Sequence, residues 1–139
     1  MTAVDRATRC VVSWALLPER TWDAMQEVVS RVWQASPHPP FVRRFYSDEL
    51  AVYSSLVYRG AKHQAMPDKS QTWSVEGVNA DLRCYVGPLV RKTRGFYRTW
   101  DSLYRLIWLF LWCYNRRRLF LQHHPTRQRS LASFLPILF

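Results

Sequence analysis

Apolar positions recur along this chain with two periods, one close to two residues and one close to three and a half, and the switches between them mark out its elements. Thr2 to Val4 reads as a strand end, the polar run Asp5-Arg6-Ala7-Thr8-Arg9 as a turn, and the β-branched and aromatic run Cys10 to Leu17 as the returning strand of a hairpin. The first arm has three residues before its turn, short against the usual five or so, as in a hairpin whose first arm has been cut. After the loop Pro18-Glu19-Arg20, Thr21 is placed to cap a helix carrying Trp22, Met25, Val28, Val29, Val32 and Trp33 at helical spacing, which Pro37-His38-Pro39-Pro40 ends. Phe41 to Tyr46 reads as a strand. Ser47-Asp48-Glu49 follows at once, then a second helical pattern, Leu50, Tyr53, Leu56 and Val57, closed by Gly60 at its C′ position. His63 to Met66 is a further short strand and Pro67 to Gln71 a polar loop.

A third helix is expected from Ser74, with Val75, Val78, Leu82, Tyr85, Val86 and Leu89 as its stripe and Gly87-Pro88 as its kink or break. Glu76, Asn79 and Arg83 stand at i, i+3 and i+7 beside that stripe and share a face. A basic loop, Arg91 to Gly95, leads to a last helix, Thr99 to Arg118, apolar nearly all round and closed by Arg116-Arg117-Arg118 against the negative end of its dipole. Beyond Pro125 the tail is basic, then apolar.

Composition adds a class. With 139 residues, 48% of them hydrophobic, the chain supports one ordinary globular core, and a net charge of +10 points to a polyanionic partner. That charge is lopsided: residues 1–80 hold nine Lys/Arg against eight Asp/Glu, and residues 81–139 eleven against two. The partner is therefore expected along the second half. Cys10, Cys84 and Cys113 are far apart and odd in number, without zinc spacing, which fits a reduced, cytoplasmic protein. The start of the chain has no secretory h-region. The longest apolar run, Leu103 to Tyr114, is interrupted by Arg105 and falls short of the roughly 18 residues a membrane span needs, so no membrane partner is expected.

Three groups of residues carry candidate chemistry. Asp48, after a strand and before a helix, lies where α/β sheets place ligands, and Glu76 on a later helix can face it; such carboxylates hold paired Mg²⁺ ions in phosphodiester cleavage. The alternative is that both are surface acids, Asp48 capping the helix after it. Arg91, Lys92, Arg94 and Arg98, interleaved with Phe96, Tyr97 and Trp100, combine cations for phosphates with aromatic faces for unpaired bases; the alternative is a solvated basic loop beside core aromatics. Arg116 to Arg118 either grip phosphate or an anionic lipid head, or answer the helix dipole alone. His123-His124, without a Cys partner, reads as an exposed turn pair.

The run from Thr72 to Leu103, TWSVEGVNADLRCYVGPLVRKTRGFYRTWDSL, resembles the third catalytic block of bacterial insertion-sequence transposases of the DDE class, the smallest elements above all. FYSDELAVYSSL is similar to their second block, and LFLWCYNRRRLFLQHHP resembles their C-terminal Tyr-Asn-Arg segment. The resemblance implies an α/β, RNase H-like mixed sheet flanked by helices, with Asp48 and Glu76 as the second and third metal-binding carboxylates. Asn79, Arg83 and the basic residues Arg91, Lys92, Arg94 and Arg98 would face DNA. It also implies two Mg²⁺ or Mn²⁺ ions, DNA strand cleavage and transfer, and as partners transposon ends, target DNA, and a second copy or a full-length transposase.

The same alignment sets Asp5 beside a turn, not at the first catalytic position. The expectation is therefore a core lacking its opening strand and first carboxylate, inactive by itself, with residues 1–98 as a partial catalytic core and residues 99–139 as an apolar helix and basic tail packed on it. A second expectation, from another class, is a non-catalytic DNA-binding remnant or regulator of a full-length transposase. A third is a basic protein held at a membrane surface by the last helix.

Overall fold

Met25, Val28, Val29 and Val32, spaced to share one side of a helix, are the buried positions of α1 (Trp22–Ala35) in the computed structural model, which describes residues 1–17, 19–35, 42–68, 72–86 and 99–134. Chain contacts divide the molecule into a first unit, Met1–Val4 with Val12–Gly77, and a second, Asp5–Val11 with Val78–Phe139. The boundary expected between residues 98 and 99 falls at the edge of a segment, 87–98, that lies outside the described residues.

In the first unit, β1 (Thr2–Val4) pairs with β2 (Val11–Trp14), and Met1 and Ala15 exchange both backbone hydrogen bonds at 2.8 and 3.0 Å just beyond the ladder. The Ser13 hydroxyl donates to the Val28 carbonyl at 2.8 Å, so the one buried polar side chain of the described core is satisfied against α1. A second sheet joins β3 (Arg44–Ser47) to β4 (Lys62–Ala65) in parallel, Arg44 opposite Lys62 and Ser47 opposite Ala65. The crossover between them carries α2 (Ala51–Ser55). Arg59 and Gly60 both take positive φ, 43° and 86°, and Ala61 N–H donates to the Tyr58 carbonyl at 2.9 Å. This is a type I′ reversal feeding β4, and the reason Gly60 serves a turn instead of the helix end expected of it. Met25, Val29 and Leu56 form the core, with Met1, Leu17, Phe45, Val52, Tyr53 and Tyr58 packed around them.

The second unit begins in the hairpin loop. Asp5 N–H donates to the Cys10 carbonyl at 2.9 Å, Arg9 N–H donates back to Asp5 at 2.8 Å, and Arg9 takes the left-handed conformation that closes such loops. The Asp5 carboxylate accepts from both the backbone and the hydroxyl of Thr8, at 2.9 and 2.6 Å. The helix α3 (Trp73–Tyr85) passes from the first unit to the second after Gly77 and buries Val78 and Leu82. The longest element is α4 (Trp100–His123), capped by Thr99, whose hydroxyl accepts from Ser102 N–H at 3.3 Å. Its buried residues Ile107, Phe110, Leu111 and Tyr114 keep helical spacing. A 3₁₀ helix, Leu131–Phe134, folds back on α4: Phe134 meets Phe120 at 5.5 Å and the Phe134 carbonyl accepts from the Cys113 thiol at 3.5 Å. Asn115 on α4 acts as an extra strand residue, accepting from Val11 N–H and donating to the Val11 carbonyl, both at 2.8 Å.

The RNase H-like mixed sheet expected from the sequence is not the architecture. Among the described residues the strands form two separate two-stranded sheets, none longer than four residues, beside helices of up to 24 residues. The physical reason lies in the strands. A parallel strand inside a sheet covered on both faces reads as a near-continuous apolar run. Here RFYS and KHQA contain no fully buried residue, and three of the four residues of β4 are exposed. Nor does α4 end at Arg118; it continues to His123, so Arg116, Arg117 and Arg118 sit inside the helix and not at its dipole end. No helix among the described residues is long and apolar enough to cross a membrane.

Candidate nucleic-acid interface

Asp48 leaves the carboxyl end of β3 as the sequence implied, exposed, and its carboxylate accepts from Leu50 N–H at 3.4 Å on the way into α2. Glu76 lies exposed in the first turn of α3, with Asn79 half-buried and Arg83 exposed further along the same helix. Glu76 belongs to the first unit, Asn79 and Arg83 to the second. Arg91, Lys92, Arg94 and Arg98 lie outside the described residues.

Among the described residues there is no group of three or more His, Cys, Asp or Glu able to hold a metal ion. Two exposed carboxylates on separate elements do not make the shared, closely spaced ligand set that a pair of Mg²⁺ or Mn²⁺ ions needs. The cleavage and strand-transfer chemistry expected of Asp48 and Glu76 is therefore corrected: neither the three-carboxylate cluster nor the sheet that would position it is present among the described residues.

One contact in the first unit has the outline of a catalytic pair. Ser47 Oγ lies 2.8 Å from His63 Nε2, and the His63 ring stacks on Tyr58 at 4.6 Å with an interplanar angle of 2°. The Ser47 hydroxyl has one proton and two acceptors within reach, the Asp48 carbonyl at 2.8 Å and, in one of its tautomers, the His63 ring. A hydroxyl shared with a backbone carbonyl is not committed to the transfer that activates a nucleophile. Burial holds His63 below its ordinary value, in favour of the neutral ring, and pushes the Tyr58 hydroxyl up to about 12 with help from Tyr53 beside it. Tyr58 donates to the Tyr53 carbonyl at 2.7 Å. The pair stitches β3 to β4 and the crossover.

The second unit concentrates one kind of chemistry. From Ser102 to the end of the sequence there is no acidic side chain, while Arg105, Arg116, Arg117, Arg118, Arg127 and Arg129 all fall in that stretch. Arg117 Nε donates to the Arg129 carbonyl at 2.9 Å, which draws the segment after α4 back over its last turns. Arg118 Nε donates to the Tyr114 hydroxyl at 3.0 Å with its guanidinium 5.1 Å from that ring, Arg116 lies 4.6 Å over Trp112, and Arg129 lies 5.0 Å over Phe120. Aromatic faces thus hold three guanidiniums by cation–π contact without neutralising them. Each keeps N–H donors for an anion, and a planar fork of this kind suits phosphate. Arg105 is paired with an acid, Asp101, at 2.8 Å one turn earlier.

The sequence pointed to Arg116, Arg117 and Arg118 but not to Arg127 and Arg129, whose nearness depends on the return of the chain after His124. It also passed over a series of rings. Trp100, Tyr104, Trp108 and Trp112 wind round α4 at i+4, with Arg116 over the last; the first three are 63%, 44% and 51% exposed. Their spacing was the available signal, and it was absorbed into an apolar helix.

The chain was compared with protein-family models, with curated proteins and with solved structures, and none of them matches it. The resemblance to insertion-sequence transposases therefore rests on short motifs alone, finds no supporting relative, and is set aside because the described residues form two separate two-stranded sheets instead of the mixed sheet it requires.

Proposed function

We propose that the chain is a non-catalytic binding protein for nucleic acid, with DNA as its ligand, and that the arginines along and after α4 contact the phosphate backbone. One observation carries the reading: Arg116, Arg118 and Arg129 each lie over an aromatic ring, and Arg117 binds the Arg129 carbonyl, in a stretch with no acidic side chain to compete for them. Guanidiniums fixed in this way release condensed counterions when they meet phosphate, and that release supplies affinity without reading sequence. The cytoplasm, where DNA is met in a reduced setting, is the compartment that belongs with this reading.

The test is fluorescence anisotropy of a labelled DNA oligonucleotide across a salt series. Replacing Arg116, Arg117 and Arg118 together by Ala is expected to lower affinity about tenfold or more at low salt. It is also expected to flatten the slope of log affinity against log salt by about two to three. Arg43→Ala with Arg44→Ala in the first unit, Asp48→Ala, and EDTA are each expected to leave binding unchanged. An unaltered salt slope in the triple variant, with helix content intact by circular dichroism, overturns the proposal.

A further inference from the structure

Ser130 stands where the basic segment turns back over α4. Its carbonyl accepts from Ser133 N–H at 3.2 Å and from the Ser133 hydroxyl at 2.7 Å, while its own side chain is exposed and, among the described residues, has no hydrogen-bond partner. The peptide group that joins Arg129 to Ser130 is held from the helix. Its oxygen accepts from Arg117 Nε at 2.9 Å, and the Arg129 guanidinium lies 5.0 Å over the Phe120 ring. We infer that Ser130 is a phosphorylation site, and that its phosphate pairs with Arg117 and Arg129 and so competes with DNA for the phosphate-binding arginines. The inference rests on the phosphate-backbone reading above and adds its regulation.

Three observations favour this hydroxyl. The first is the charge around it: Arg127 and Arg129 stand three residues and one residue before Ser130, Leu131 follows, and no acidic side chain lies between Ser102 and the end of the sequence. Such a segment complements the acidic substrate cleft of a basic-directed serine kinase. The second is reach. Arg117 is already hydrogen-bonded to the peptide group of Ser130, and a phosphate set beside an arginine cluster makes charge-assisted hydrogen bonds with the N–H donors that remain. The third is the state of the other hydroxyls: that of Ser133 is occupied by the Ser130 carbonyl, and Thr126 has no arginine in the seven residues before it. The step is a phosphoryl transfer from ATP. Ser130 Oγ bonds to the γ-phosphorus, the bond from that phosphorus to the β–γ bridging oxygen breaks, ADP leaves, and the hydroxyl proton passes to the catalytic carboxylate of the kinase. At neutral pH the product adds about −1.5 to −2 of charge to a stretch with no acidic side chain.

The experiment uses the full chain in two forms. In the first, the chain is incubated with Mg-ATP and a purified kinase that selects arginine three residues before its serine, and mass spectrometry is expected to find the phosphate on Ser130. Ser130→Ala is expected to abolish incorporation, and Arg127→Ala to slow it about tenfold through the loss of one charge pair with the kinase. In the second, phosphoserine is installed at position 130 during synthesis, and ³¹P NMR follows its second ionisation, which for an unpaired phosphoserine lies at about pH 6. Pairing with Arg117 is expected to lower that midpoint against a free peptide spanning Pro125 to Phe134, and Arg117→Ala to return it. The phosphorylated chain is expected to bind the labelled DNA oligonucleotide about tenfold more weakly at low salt, with the slope of log affinity against log salt smaller by about one to two.

Phosphate on Thr126 or Ser133 with Ser130 bare, or no incorporation at all, overturns Ser130 as the acceptor. An ionisation midpoint equal to that of the free peptide, with DNA affinity unmoved, overturns the pairing with Arg117 and leaves the phosphate-backbone reading standing. A weaker affinity that comes with loss of helix content by circular dichroism, in place of a shifted midpoint, overturns it too. A lowered midpoint that returns in Arg117→Ala, in a chain that binds no DNA in either form, keeps the phosphorylated site and overturns the phosphate-backbone reading instead.

Discussion

The first unit holds seven Lys/Arg and seven Asp/Glu, whereas the second holds thirteen against three, so the net charge of +10 belongs wholly to the second. Their cores differ in the same sense. The first unit closes an apolar cluster of Met25, Val29 and Leu56 under a layer of rings, Trp33 on Phe45 at 6.1 Å and Phe45 on Tyr58 at 5.0 Å. In the second, several ring faces are turned to guanidiniums, and the loop of the hairpin is fastened to α4 by the side-chain amide of Asn115. Both units leave rings exposed, Trp22 and Trp73 in the first and Trp100, Tyr104 and Trp108 in the second, but the guanidinium–ring contacts among the described residues fall in the second, on Trp112, Tyr114 and Phe120.

The largest effects on stability should separate these two ways of holding a fold. Met25→Ala removes a fully buried side chain from the first unit and is expected to cost about 2–5 kcal/mol. Asn115→Ala in the second strands the amide and carbonyl of buried Val11, at a cost of about 2–4 kcal/mol. Asn115→Asp keeps the acceptor for Val11 N–H and loses the donor to its carbonyl, so it should fall between Asn115→Ala and the unaltered chain. Urea unfolding measures all three, and amide exchange at Val11 reports the second site directly. A loss below about 1 kcal/mol in Asn115→Ala would mean that water replaces the amide, and that the second unit too is held by packing alone.

Asp5 sets a smaller and pH-dependent difference. Burial works to raise its pKa, but hydrogen bonds from the Thr8 hydroxyl and from the backbone of Thr8, Ala7 and Arg6 outweigh it and hold the carboxyl below its ordinary 3.8. The folded chain therefore binds its proton less readily than the unfolded one. The stabilisation is complete above about pH 5 and is lost as the pH falls through 3.8 toward the folded value. Asp5→Ala is expected to cost about 1 kcal/mol at neutral pH, the usual worth of a side-chain acceptor closing a turn of this kind. Urea midpoints at pH 6 and pH 3 should converge for the two proteins; a constant gap between them would show that the loop hydrogen bonds do not depend on ionisation.

How much of this was legible in the sequence differs by residue. The α1 stripe, the Thr2–Val4 arm and the strand–helix–strand order around Asp48 were readable because each is fixed by local periodicity and turn chemistry. The fold class was not, because element order does not say whether short strands merge into one sheet; that depends on burial across faces, and RFYS and KHQA have too little apolar surface to be buried on both. For the site, the acids Asp48 and Glu76 were easy to find, but whether they converge is a tertiary matter that no spacing encodes. Arg129 was unreadable for a similar reason, since it reaches Arg117 only by the return of the chain after His124. The rings from Trp100 to Trp112 were the opposite case, plain in the sequence but hidden by the assumption that an apolar helix is a buried one.

The smallest expected effect lies where the two units divide. Gly77 is the last residue of the first unit, inside α3, with helical backbone and nothing within 4 Å of the position a Cβ would take. A glycine in a helix interior costs roughly 1 kcal/mol against alanine, through the extra freedom its unfolded chain loses. Since the added methyl meets no neighbour, Gly77→Ala is expected to stabilise the protein by about 0.5–1 kcal/mol, read as a rise in the urea midpoint at constant slope. Oligonucleotide affinity should not move, because the arginines proposed to contact phosphate all lie on or after α4. A fall in stability would mean that the chain needs conformational freedom where it passes from the neutral unit to the charged one. A change in affinity with stability intact would mean that the division by charge does not mark a division of labour.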